Sequence, residues 1–365
     1  MKKILSIFII FLILLNGMFV NAYEDEMNTV IERAKVLSVS EIKETDISGF
    51  DEIIVAIEIL TGELKGTEFD IIHALTGSFA YDIMPKRGDR ILVIVEELSE
   101  GEVEVFIKDY VRDTYVYAVL ALFVILLLLV GRKTGFKALI TIGLTVIMVI
   151  KFMLPGMLKG YSPIMLTIVT CFVVTIITIL LVGGLTKKSI AAIVGVLGGV
   201  FSAGVITYVV GSQVKLTGLS GEEATMLMFI PQNIDFDFRG LLFSGIILGA
   251  LGAVMDVGMS IASSMDEVKK ANSQITPKEL VKAGMCVGRD IMGTMSNTLI
   301  LAYTGSAIPL ILLFMAYDVS FIEIINLDII ASEIIRAFAG TIGLILTVPI
   351  TALCSGLLYS KSERR

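Results

Sequence analysis

The 365-residue sequence has no tryptophan, a single histidine and three cysteines. A histidine-rich metal site and Ser-His-Asp or Cys-His catalysis would all depend on His73, which lies far along the chain from every cysteine. We therefore expect no metal, no cofactor and no enzymatic activity. There is also no dense basic cluster, which argues against nucleic acid as a partner.

Charged residues are scarce as well, at 18% of the chain, whereas 55% of the residues are hydrophobic. Soluble domains carry about 25% charged residues. Most of the charges here lie in the first third of the chain or in short connections. This uneven distribution predicts two parts, one soluble and one embedded in lipid.

Residues 1–22 have the pattern of a secretory signal peptide: two lysines at the start, an apolar run over residues 4–15 and compact residues up to Ala22. The alternative is an uncleaved first anchor helix. Since a span needs about 20 apolar residues, the short run favours cleavage.

Residues 23–113 alternate apolar and polar side chains between glycine-containing turns, which predicts a small all-β domain. A barrel of the OB or SH3-like kind fits five short strands, and a sandwich fits nearly as well. The predicted strands are Thr29–Val39, Glu52–Leu60, Glu68–Ala74, Ile91–Glu97 and Glu102–Lys108. The stretch is acidic and lacks aromatic stacking pairs, so we interpret it as a sensor, lid or docking module.

Residues 114–360 are predicted to form an α-helical bundle of seven transmembrane helices, followed by a tail at 361–365. The spans lie near 114–131, 137–158, 163–184, 190–211, 240–264, 292–316 and 334–359. Alternate loops collect most of the lysine and arginine residues, and the others are mainly acidic. The positive-inside rule then puts the C-terminus in the cytoplasm and residues 23–113 outside.

An ionisable residue inside a span is a functional candidate, because the bilayer disfavours it. In the fifth span Gly245, Gly249, Gly252 and Asp256 share one helical face, and Ser260 follows. Small residues let a neighbouring helix approach closely. We expect such an approach to desolvate Asp256, so that it carries a proton or helps to coordinate a cation.

Two further polar clusters occur in the last two spans. Asp290, Thr294 and Asn297 share one face of the sixth span, although a cytoplasmic rim pair with the neighbouring arginine is an alternative for Asp290. In the seventh span Glu333 and Arg336 are spaced to pair on one face, either as coupling residues or as an ordinary interfacial pair.

Other features of the helical region concern its packing and its connections. Gly195 and Gly199 in the fourth span are interpreted as helix-packing residues. The Gly-Ser-Ala-Ile-Pro sequence at 305–309 predicts a helix break. Thr276 followed by proline and Glu279 predicts the start of an amphipathic helix in the connection before the sixth span.

Three segments of the helical region resemble the YibE/F family of bacterial membrane proteins. They are Gly249–Ser260, Gly288–Tyr303 and Gly343–Thr351. The resemblance covers roughly residues 115–360, and the outer domain more loosely. It implies a multi-pass membrane protein of the kind described as an exporter or permease.

Three functions follow as hypotheses. The first is a transporter of a small solute or ion, coupled to protons or cations through Asp256, with Thr294 and Asn297 beside it. The second is a membrane scaffold or envelope sensor that acts through the outer domain. The third, an intramembrane enzyme with Asp256 and Asp290 as a carboxyl pair, is disfavoured because Asp290 lies near the cytoplasmic rim. The expected partners are the lipid bilayer and either a second copy or another membrane protein.

Overall fold

The computed structural model describes residues 29–42, 51–78, 80–97, 103–230 and 235–360. The predicted signal peptide and the tail at 361–365 lie outside these residues. The chain divides into two compact units, and the division falls between Leu129 and Val130.

The first unit contains one antiparallel sheet of five strands. They are β1 (Thr29–Val39), β2 (Asp51–Ile59), β3 (Glu68–Leu75), β4 (Arg90–Glu97) and β5 (Val103–Tyr110). The strand order is β3-β2-β1-β4-β5, and the outer strands β3 and β5 contact each other. The sheet therefore curls into a small barrel-like structure. The predicted barrel is confirmed, each strand within two residues of its predicted bounds, and the sandwich alternative is wrong.

The alternation that predicts the strands also builds the core of this unit. On β2 the inward side chains Ile53, Val55 and Ile57 are buried, and their neighbours in sequence are only partly covered. Buried residues of β1 and β4 pack against them. Burial of one face of each strand is the main stabilisation of such a sheet.

Replacing His73 by glutamine is expected to flatten the pH dependence of this unit. Burial lowers the pKa of His73 from 6.5, against opposing effects of the Ile83 backbone and the Asp82 carboxylate. Since the folded imidazole binds a proton less readily than the unfolded one, the fold loses stability as the pH falls through the unfolded value.

Proteolysis within residues 29–110 of the full chain tests this prediction. The wild type should become easier to cleave between about pH 7.5 and 5.5, and His73→Gln should respond less. His73 is the only histidine, so no other imidazole contributes. Identical pH responses of the two proteins would contradict the prediction.

The second unit is helical. After the sheet the elements are α1 (Asp113–Ile147), a π-helical segment (Met148–Met153), α2 (Leu154–Leu158), α3 (Pro163–Gly183), α4 (Lys187–Gln213), α5 (Glu222–Met226), a 3-10 turn (Leu227–Phe229), α6 (Phe238–Ala271), α7 (Pro277–Ser306), α8 (Ile308–Ala316), α9 (Phe321–Asn326) and α10 (Asp328–Ser360). Among the described residues, five helical stretches are long and apolar enough to cross a membrane, or six if α7 and α8 form one bent span. The predicted number of seven stays a prediction.

Local sequence signals determine both boundaries of α7. Thr276 and Glu279 form a reciprocal capping box at the start of α7, as their spacing predicts. The helix then continues without interruption to Ser306, so the predicted amphipathic connection and the sixth span are one helix. The predicted break follows at Ala307, where α7 and α8 are bent by 58°.

Helix α10 is the centre of the second unit and packs against α4, α6 and α7. Its buried residues Leu344 and Val348 share a core with Val196 of α4 and with Val254 and Ile261 of α6. At the far end, Tyr359 donates a hydrogen bond to Asp266 of α6. The ammonium of Lys187 lies 5.4 Å from the centre of the Tyr359 ring. These contacts hold the three helices together at one end of the bundle.

Candidate functional site

The candidate residues of α6 lie on the side of the helix that points away from the bundle. The opposite side packs Ile247, Val254 and Ile261 into the core. We call the exposed side the α6 outward face. It consists of Gly245, Gly249, Gly252, Asp256 and Ser260.

The sequence predicts that a neighbouring helix packs closely against the glycines of the α6 outward face. In the structure only Gly249 has such a contact. A Cβ atom at Gly245 or Gly252 would have nothing within 4 Å, and one at Gly249 would lie 2.7 Å from the Tyr303 hydroxyl. Asp256 is accordingly exposed, and no helix packs closely over it. The physical reason is that the aliphatic side of α6 offers more apolar surface to its neighbours.

The Asp256 carboxylate makes no hydrogen bond and no ion pair with any residue that the structure describes. A charged side chain near the centre of a membrane helix costs about 2.5–3.5 kcal/mol. In the bilayer this carboxyl group must therefore be protonated, hydrated or bound to a cation. Each of those states is one that a transport protein uses.

The candidate residues of α7 also point outward. The packed side of α7 buries Leu280, Gly284, Gly288 and Leu299. We call the opposite side the α7 outward face. Its exposed residues are Asp290, Thr294, Asn297, Leu301 and Thr304.

Hydrogen bonding on the α7 outward face is incomplete. The hydroxyl of Thr294 donates to the Ile291 carbonyl at 3.0 Å, so it is satisfied within its own helix. The side chains of Asp290 and Asn297 have no hydrogen-bond partner among the described residues. The Asp290 carboxylate and the Asn297 amide are thus left for water, a ligand or another protein.

Helices α6 and α7 run antiparallel, which fixes the relative depth of their polar residues. Gly288 packs on Ile261 of α6, and near the other end of the pair Tyr303 lies over Gly249. Asp256 falls between these two contacts, and interpolation places it level with Thr294. No hydrogen bond joins Asp256 to Thr294 or Asn297, so the residues of the expected cluster share a depth but are not hydrogen-bonded to one another.

Glu333 and Arg336 are the two candidates that do contact each other. The Arg336 Nη1 and Glu333 Oε1 atoms are 3.0 Å apart on α10. The pair is largely covered, with the Glu333 side chain 24% and the Arg336 side chain 31% exposed. The second carboxylate oxygen and the Nε atom are buried without a partner in the described part of the chain. The pair therefore retains unused donor and acceptor capacity.

Tyr303 is a site residue that the sequence analysis did not single out. Its side chain comes from α7, reaches the backbone of Gly249 on α6 and lies within electrostatic range of Arg336 and Glu333 on α10. It thus contacts α6 and lies near the ion pair of α10. The one indication in the sequence is that Tyr303 ends a segment that resembles the YibE/F family, shortly before the helix break.

A loop after α4 fixes the start of α10 and hence the ion pair. The Thr217 hydroxyl donates to the Asp328 carboxylate at 2.6 Å. One turn along α10, the hydroxyls of Ser220 and Ser332 are 3.4 Å apart. Sequence reasoning missed these contacts, because the partners are more than 110 positions apart.

A separate groove lies between α3, α4 and α6. It has a volume of about 490 Å³ and an almost entirely apolar lining that includes Ile168, Phe172 and Val200. No charged side chain points into it, so it does not suit a polar solute. Among the described residues no three histidine, cysteine or carboxylate side chains gather as metal ligands.

Long apolar helices with ionisable residues along them, preceded by a small β unit, define a multi-pass membrane protein with an N-terminal β domain. The chain belongs to the YibE/F-like family: the family model "YibE/F-like protein" matches residues 119–361. A second model, "YibE/F family N-terminal domain", matches residues 28–110. The resemblance found in the sequence is thereby confirmed. No curated protein and no solved structure matches the chain.

Proposed function

We propose that this protein is a transporter that moves a small solute or ion across the bacterial plasma membrane, with Asp256 as the residue that binds and releases a proton or cation. The observation that carries the proposal is the carboxylate of Asp256, which lies within a long apolar helix and has no partner among the described residues. Because a carboxylate inside lipid has a high free energy, its presence in this helix favours a functional role.

The proposed topology has seven spans. The stretch Asp113–Leu158 is 46 residues long. At 1.5 Å per residue it would extend about 69 Å, more than twice the thickness of a bilayer core. Within it, Arg132 has the non-helical angles φ 46° and ψ −123°. We therefore divide the stretch at Arg132 into two spans and count α7 with α8 as one.

The proposed sidedness follows from charge. Arg132 and Lys133 lie at the division of the first stretch, and Lys269 and Lys270 lie at the end of α6. These basic residues belong on the cytoplasmic side by the positive-inside rule. On this topology residues 23–113 are outside, and the Glu333–Arg336 pair is nearer the outer surface than Asp256.

The surroundings of Asp256 suit a transient ligand. Gly252 lies one turn before it on the same face and has no atom within 4 Å of the Cβ position. A solute or hydrated ion could thus approach the backbone and the carboxylate together. Tyr303 and the Glu333–Arg336 pair lie further toward the outer end, and Asp290 lies further toward the inner end, so polar groups are distributed along the membrane depth.

Replacing Asp256 by asparagine tests the proposal. In proteoliposomes with an imposed pH gradient and an enclosed pH-sensitive dye, we expect proton flux to fall about tenfold or more, because an amide does not take up a proton in this pH range. Asp256→Glu should keep part of the flux. Asp318→Asn, in the exposed connection between α8 and α9, is the matched control and should behave as wild type. Undiminished flux in Asp256→Asn would rule out the coupling role.

The second candidate function is a scaffold or envelope sensor. It is favoured by the β unit, which has its own core and its own family match. Deletion of residues 28–110 separates the two candidates. A sensor would lose its phenotype on deletion and tolerate Asp256→Asn, whereas a transporter would show the reverse.

A further inference from the structure

The apolar groove between α3, α4 and α6 has the length of a lipid tail. On α4 its lining runs from Leu197 to Tyr208, a distance of about 16 Å at about 1.5 Å per residue. The hydrocarbon core of a bilayer is about 30 Å thick, so the groove is about as long as one leaflet is deep. Its length therefore suits a hydrocarbon chain that enters from one side of the membrane.

The volume of the groove separates a lipid tail from a further helix. At about 490 Å³ the groove is within the range of sites for single small ligands, about 300–1,000 Å³. An α-helix about 10 Å across would need about 1,200 Å³ over the same length, so the groove has no room for another span. Two of its lining residues, Phe172 and Phe201, are 50% and 71% exposed. The groove is thus open from the side.

Each of the three helices has a basic residue close in sequence to the same end of the groove, where Tyr208 and Phe243 line it. These basic residues are Lys159 before α3, Lys215 after α4 and Arg239 in the first turn of α6. The connection 317–327 leads into α10 at the same end of the bundle and contains neither lysine nor arginine. The basic residues of this end are therefore concentrated around the groove.

A buried leucine fixes two of these cations beside the groove. The Arg239 Nε atom donates to the Leu216 carbonyl at 2.9 Å, and Lys215 precedes Leu216 in the chain. Leu216 is fully buried in one cluster with Phe243, a lining residue of the groove. Asp237 caps the first turn of α6, and in the described part of the chain no carboxylate pairs with Lys215 or Arg239. Two exposed positive charges are thus available to an anion.

We propose that the groove binds one acyl chain of a membrane phospholipid, whose phosphate group contacts Lys215 and Arg239. The chain restores the van der Waals contacts that the lining of an empty groove lacks. The phosphate accepts charge-assisted hydrogen bonds from the ammonium and guanidinium groups. The proposal requires only that α3, α4 and α6 lie in the membrane, so it does not rest on the transport function.

Filling the groove tests the acyl-chain site. The full chain in detergent is titrated with dioleoylphosphatidylglycerol, and bound lipid is measured by native mass spectrometry. We expect the wild type to retain one phospholipid. Val205→Trp fills the groove from α4 and should lower the affinity at least tenfold, because each methylene group lost from an apolar site weakens binding about fourfold. Val209→Trp, 51% exposed on α4 and outside the groove lining, is the matched control and should bind as wild type.

Lys215→Asn tests the phosphate contact. Lys215 has a φ of 61°, which asparagine also tolerates, so the substitution removes the charge without straining the backbone. We expect the affinity for dioleoylphosphatidylglycerol to fall about fivefold, the effect of one basic residue on an anionic lipid. Dioleoylglycerol has the same two chains and no phosphate. It should bind the wild type about tenfold more weakly and should not distinguish Lys215→Asn from the wild type.

A second filling variant guards against loss of folding. Ile168→Trp fills the groove from α3, and the melting temperature of each variant without added lipid identifies one that is misfolded. Equal retention of dioleoylphosphatidylglycerol by the wild type and both filled variants overturns the proposal. Equal affinity of the wild type for dioleoylglycerol and for the phospholipid overturns it as well. Neither readout involves flux, so the lipid and the transport proposals fail independently.

Discussion

Alanine at Gly199 is expected to destabilise the helical unit by about 1–3 kcal/mol, the range typical of an overpacked core. The Cβ atom would overlap the hydroxyl of Thr347 and lie 2.7 Å from the carbonyl oxygen of Gly343. A hydroxyl can rotate, but a helix carbonyl has no such freedom. The α4 and α10 helices would have to separate, and they form the largest helix contact of the unit. Unfolding in a titration with dodecyl sulfate, followed by circular dichroism, measures the effect.

Gly252→Ala is the matched control for that substitution. It is also a glycine in the middle of a long helix, but nothing lies within 4 Å of its Cβ position. We expect no loss of stability, because alanine is favoured over glycine in helices by up to about 1 kcal/mol. Adding Thr347→Ala to Gly199→Ala should restore only part of the loss, since the Gly343 carbonyl stays in place. Equal behaviour of the two alanine variants would contradict the close packing of α4 on α10.

Removing one member of the Glu333–Arg336 pair is expected to cost about 2–3 kcal/mol, because it leaves the other charge unpaired in a mostly covered site. Glu333→Gln leaves the guanidinium alone, and Arg336→Met leaves the carboxylate alone. The double variant removes both charges and should regain most of the stability. The same titration measures all three proteins and gives the coupling energy of the pair.

Glu267→Gln provides the comparison with a surface pair. Glu267 pairs with Lys270 at 2.8 Å, but the two side chains are 69% and 61% exposed. An exposed pair of this kind contributes about 0–1 kcal/mol, so little should change. If the double Glu333–Arg336 variant is stable yet inactive in the flux assay, the pair acts in transport. If it is stable and active, the pair serves only to hold α10 in place.

The sequence predicts most of the fold because local patterns determine it. Strand β1 begins and ends at the predicted residues, since alternation of side chains and a following turn are both readable from the sequence. The start of α7 at Thr276 and its break at Ala307 are local signals too. The division at Arg132 is different: its basic residues indicate a loop, but the structure runs the flanking helices into one apolar stretch.

The rotation of α6 is what the sequence does not predict. Periodicity identifies a glycine face and an aliphatic face, but not which one the bundle covers. Close approaches to the partner helices decide it: Gly340 of α10 lies against Ala250, and Gly258 of α6 lies against Val196 of α4. The Tyr303–Gly249 contact depends on the same rotation. For this reason the sequence indicates candidate residues but does not predict which of them lie together.

The reciprocal contact between Gly199 and Gly343 has a mechanical consequence. Each position would place a Cβ atom 2.7 Å from the carbonyl oxygen of the other, so the two backbones lie directly against each other. Two helices whose backbones touch in this way resist sliding past each other and are expected to move as one rigid unit. By contrast, α8 has no buried residue and joins α7 at a bend. Relative motion of the helices is therefore expected in α8, with α4 and α10 as the fixed frame.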